Sequence, residues 1–143
     1  MNKLQAIIDN LKSIDAGFDS IIIDATKLQK KLIIRLNTDE QLYKGIDANS
    51  KAITPTYTSY TIAIKRRKGQ PTDRVTLKDE GDFYKSFDIA FSNDEFEIKA
   101  TDIKRASLQR KYGSNILGLN EDSRNELAKA ILPIVIKSVK ERL

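Results

Sequence analysis

The chain predicts an α+β fold: an antiparallel sheet of about four strands, covered on one side by helices from both ends of the sequence. Three observations lead there. Apolar residues recur at helical spacing over 2–37 and again over 120–143. Between them, short runs alternate apolar and polar residues, the period of a half-buried strand. The resulting order, α–α–β–β–β–β–α–α, segregates helices from strands, as α+β domains do.

Each element follows from local chemistry. Over 2–18, Leu4, Ile7, Ile8, Leu11, Ile14 and Phe18 make one apolar stripe. Gly17 and Asp19 mark a break. A second stripe, Ile21, Ile22, Ala25, Leu28, Leu32, Ile33 and Leu36, predicts one helix over 20–37. Residues 38–59 are rich in turn formers and read as loop. Tyr60, Ile62 and Ile64 alternate with Thr61, Ala63 and Lys65, which predicts a strand. The basic excursion KRRKGQPTDR follows, then a short strand at 74–78. SFDIAFS and EFEIKAT, separated by Asn93–Asp94, predict a hairpin. Residues 102–112 read as a helix with Asp102 as N-cap and Gly113 as its stop. Asn120 caps the last helix, with Glu121 and Asp122 at its positive end. Pro133 lies inside that helix and should kink or split it.

The length of 143 residues suits a single domain over 1–143. Its parts are a helical segment at 1–37, a sheet at 57–101 and C-terminal helices at 102–143. No apolar run approaches the ~18 residues of a membrane span, and the amphipathic, acid-bearing first residues do not read as a signal peptide. The expectation is an intracellular protein with no membrane partner. There is no cysteine and no histidine. That removes disulfides, thiolate metal sites and histidine-dependent triads. No phosphate-cradling loop occurs, and the acidic clusters DEGD and NDEFE match no metal-binding loop. No catalytic residue, metal or cofactor is expected, and the chain does not read as an enzyme.

Charge is unevenly spread. Residues 51–78 carry seven basic groups and one acid, whereas residues 79–103 carry two basic groups and eight acids. Such blocks suit either pairing across a subunit boundary or neutralisation within one chain. Lys65, Arg66, Arg67 and Lys68 are candidate partner contacts. So are Ile131, Ile134 and Ile136, in a run, AILPIVI, that is apolar nearly all round.

The order of pieces resembles small tail-completion and neck proteins of bacteriophages, including the phage virion morphogenesis group and the tail-completion proteins of long-tailed phages. The matching stretches are VTLKDEGDFYKSF, then the hairpin, then LQRKYGSNILGLNEDSRNELAKAI. The residues that carry the match are Leu77, Gly81, Phe83 and Ser86, then Tyr112, Gly113, Leu117, Gly118 and Leu119. Glu80 stands where a small hydroxyl residue is common, and no histidine follows Tyr112–Gly113. The resemblance covers about residues 42–140. It implies a virion protein assembled in the bacterial host cytoplasm, self-associating into a ring beside connector or tail proteins. Segments 44–59 and 65–74 are expected to order on assembly. The alternative is a small nucleic-acid-binding or regulatory module using the basic stretch 65–68.

Overall fold

The computed structural model describes residues 3–143; Met1 and Asn2, at the predicted start of the first helix, lie outside the described residues. Among the described residues seven α-helices and one hairpin follow in order: α1 (Lys3–Ala16), α2 (Phe18–Lys27), α3 (Lys30–Thr38), α4 (Ser59–Arg67), α5 (Asp82–Lys85), β1 (Phe87–Phe91), β2 (Phe96–Ala100), α6 (Arg105–Tyr112) and α7 (Glu121–Arg142). The fold is mostly helical. Its sheet has two antiparallel strands, not about four, which corrects the predicted sheet over 57–101.

The two missing strands have distinct causes. Residues 60–64 are helical because Thr58 caps them: its hydroxyl accepts from the Thr61 amide at 3.2 Å. The basic run then falls in the last turn, where the helix dipole favours cations. A local cap has overridden the strand preference of the β-branched residues. Residues 75–78 form no strand: Val75 and Thr76 are buried, Leu77 breaks the run with a left-handed φ of 56°, and among the described residues no strand lies beside them. Tyrosine side chains take the backbone groups that a ladder would have used. The Thr76 amide donates to the Tyr57 hydroxyl at 2.9 Å, and the Tyr84 hydroxyl donates to the Thr76 carbonyl.

The predicted helix over 20–37 divides into α2 and α3. Near the division the buried Thr26 hydroxyl donates back to the Ile22 carbonyl at 2.7 Å, a bond that bends helices. Helix α6 starts at Arg105, after a turn in which the Asp102 carboxylate accepts from the Lys104 amide. Asn120 caps α7 through Ser123, and α7 runs unbroken through Pro133.

Helix α3 packs on β1 and α7, and α2 packs on α7. The main core gathers Ile33, Leu36, Phe83, Phe87, Ile98 and Leu127, among others. Phe83 and Phe87 meet edge-on at 5.2 Å, which anchors α5 on the hairpin. A smaller core joins Ile14, Ile21, Ala25 and Val135. Ile131 packs against both.

Candidate functional site

The two sequence motifs converge. Leu77 and Gly81 from the segment before α5, Phe83 from α5 itself, and Tyr112 from the end of α6 line one cleft of about 200 Å³ together with Tyr57 and Lys65. Leu77 takes φ 56° and Gly81 takes φ 94°. At Gly81 an added Cβ would meet nothing closer than Lys85 Cε at 3.8 Å, so conformation rather than space demands glycine. Gly113 ends α6.

Gly118 belongs to a different construction, which sequence reasoning missed. Asn37 and Gln41 are both fully buried. Asn37 donates to the Ile116 carbonyl at 3.0 Å and accepts from the Gly118 amide at 2.8 Å. Gln41 donates to the Gly118 carbonyl at 2.7 Å and accepts from the Asn120 amide at 2.8 Å. Two amide side chains thus clamp the segment that leads into α7. The available signal was their spacing: Ile33, Asn37 and Gln41 follow one another at four-residue steps on a buried face.

The basic stretch is largely occupied within the chain. Lys65 is buried; its ammonium donates to Gln70 Oε1 and to the Lys78 carbonyl, and sits 5.0 Å from the Tyr57 ring centre. Lys68 Nζ lies 2.7 Å from Asp79 Oδ1. That hydrogen bond holds the Asp79 carboxyl below its ordinary range and raises the Lys68 ammonium above its own. Lys30 and Asp88 pair at 2.6 Å, which lowers the Asp88 carboxyl likewise. The positive and negative blocks therefore meet, in part, within one molecule. Arg66 and Arg67 stay exposed, and no ion pair reaches them among the described residues.

Of the three predicted contact isoleucines, Ile131 and Ile134 pack partly into the cores, and Ile136 is exposed. Beside Ile136, Leu132 and Pro133 complete a shallow apolar depression on α7, flanked by Lys137 and Lys140. A second apolar surface lies on α1. There Leu4 and Leu11 are 65% and 51% exposed, although Asn10 donates to the Leu143 carbonyl at 3.4 Å.

Segments 44–59 and 65–74 are tied down inside the single chain. Ile53 is buried, the Ala48 amide donates to the Asn115 carbonyl, and Arg74 Nε donates to the Tyr43 carbonyl at 2.7 Å. Among the described residues no group of histidine, cysteine, aspartate or glutamate is placed to hold a metal ion, and no helix is long and apolar enough to cross a membrane. Set beside protein families, curated proteins and solved structures, the chain matches none.

Proposed function

We propose that this chain is a structural protein of a tailed-phage virion or prophage, acting in head–tail joining or tail completion as one subunit of a ring, and not an enzyme. The observation that carries the self-association is the apolar surface left in solvent on α1 and α7: Leu4, Ile7, Leu11, Leu132 and Ile136. Contiguous exposed apolar surface marks contact with other protein. A ring joins unlike patches of successive subunits, and the α1 stripe and the α7 depression are unlike patches. The virion assignment rests on the resemblance carried by Leu77, Gly81, Phe83, Tyr112, Gly113 and Gly118. Neighbouring connector or tail proteins are the further partners of that reading. The nucleic-acid alternative retains only Arg66 and Arg67 of its four basic residues as free cations.

The test is assembly, read by sedimentation velocity and negative-stain microscopy over a range of concentrations. Leu132→Asp with Ile136→Asp should abolish higher oligomers while circular dichroism stays native. Arg66→Glu with Arg67→Glu should weaken assembly more than folding. An oligomer distribution unmoved by both pairs of substitutions sinks the reading. Steep, salt-dependent DNA binding by a monomer would favour the alternative.

A further inference from the structure

The free edge of β2 carries its own pairing code. The phase of the hairpin ladder is set by two bonds, Ser92 N to Glu95 O at 2.9 Å and Thr101 N to Ser86 O at 3.2 Å. With the register Ile89↔Ile98, Glu97 and Lys99 direct their backbone groups toward β1. Phe96, Ile98 and Ala100 therefore turn their N–H and C=O groups outward. Among the described residues none of these outward groups finds a partner. The opposite edge differs, because the Asp88 carboxylate caps the Ile89 amide there. An open hollow of about 600 Å³ runs along β2 toward α6, so the β2 edge is reachable.

We propose that β2 pairs with β2 of a second copy, antiparallel about a twofold axis through Ile98, to make a four-stranded sheet across a dimer. In that register Ile98 faces Ile98, Phe96 faces Ala100, and the outward backbone groups of both strands meet as bonded pairs. Glu97 then lies directly opposite Lys99 of the second copy, twice over. Directly opposite side chains in non-bonded pairs are close enough to interact, and opposite charges there are favourable. The neighbouring registers are disfavoured. A shift of two residues one way sets Glu97 against Glu97 within the strand and leaves Lys99 to face Glu95, outside β2, and the other way sets Lys99 against Lys99. The charge order on one exposed strand face thus suits a second copy in the central register, where both attractive pairs lie within β2 and no like charges meet. Both side chains are exposed and their mutual contact within the chain is loose, at 3.9 Å, so they are free to turn outward. This contact joins like patches. It is independent of the α1 and α7 surfaces and of the virion reading.

Sedimentation velocity over a concentration series tests it. The parent chain should form a dimer. Lys99→Glu or Glu97→Lys alone should weaken that dimer roughly tenfold or more, because attractive pairs become repulsive. The double exchange, Glu97→Lys with Lys99→Glu, should restore it. The chain has no cysteine, so a mixture of Glu97→Cys and Lys99→Cys chains should give a disulfide-linked mixed dimer, with little cross-linking in either variant alone. A parent chain that stays monomeric throughout overturns the proposal. So does a dimer that ignores the single charge changes, or one that Leu132→Asp with Ile136→Asp abolishes.

Discussion

Replacing Gln41 with leucine tests the clamp that positions α7. Leucine keeps most of the side-chain volume but removes both hydrogen bonds, to the Gly118 carbonyl and from the Asn120 amide. The Asn120 amide then lies beside an apolar side chain in a buried site, and the Gly118 carbonyl in a half-buried one. An unsatisfied buried group costs about 1–3 kcal/mol, so two cost about 2–6 kcal/mol. The added apolar burial offsets on the order of 1 kcal/mol. A net loss of about 1–5 kcal/mol results, against the 5–15 kcal/mol typical of a folded domain. At about 2–4 °C per kcal/mol for a chain of this size, Tm should fall by roughly 2–20 °C. Urea unfolding followed by far-ultraviolet circular dichroism gives the free energy, with an unchanged m-value confirming a like-for-like comparison. Adding Asn37→Leu should cost less than the sum of the two single changes, because both amides hold one segment. A loss below about 0.5 kcal/mol for Gln41→Leu refutes the clamp.

Two further predictions follow from single residues. Burial, and next the Asp39 carboxylate, push the Tyr84 hydroxyl well above its ordinary value. The folded state therefore keeps this proton where the unfolded state releases it. The contribution is complete below about pH 10 and is lost as pH rises above it, by up to ~1.4 kcal/mol per pH unit. Tyr84→Phe should flatten the stability profile above pH 10 in urea titrations; an unchanged slope there contradicts the assignment. Gly118 takes φ 139°, and an added Cβ would lie 3.2 Å from Ala48 Cβ. Gly118→Ala should cost about 1–3 kcal/mol, and Ala48→Gly should recover only the steric part. Full recovery in thermal melts would place the whole effect in the contact rather than the backbone.

Much of the fold was legible because its signals are local. The α1 stripe, the hairpin, the Gly113 stop and the Asn120 cap each depend on residues a few positions apart. Residues 57–78 were misread because the deciding groups are remote or ambiguous. Alternating β-branched residues at 60–64 suit a strand, and one hydroxyl at Thr58 tips them into a helix. The run at 74–78 reads as a strand in sequence, yet Leu77 takes a left-handed φ and Tyr57 and Tyr84 stand where a neighbouring strand would. The cleft was half visible. The chain order put Leu77, Gly81 and Tyr112 in one motif set, but nothing local showed that Lys65 and Lys68 are engaged inside the same molecule. The four-residue spacing of Ile33, Asn37 and Gln41 marks a shared buried face, but the partners of the two amides lie more than seventy residues away, beyond any windowed pattern.

Because Ile131 is the apolar residue shared by both cores, α7 works as a spine with two separate loads. The load near its C-terminal end, α1 with α2, rests on few buried side chains. Local opening free energies follow such burial. In native-state hydrogen exchange the amides of α1 and α2 should therefore open as a group, peeling from the spine while the hairpin and α3 remain protected. A chain built this way can re-aim its N-terminal arm without melting its body.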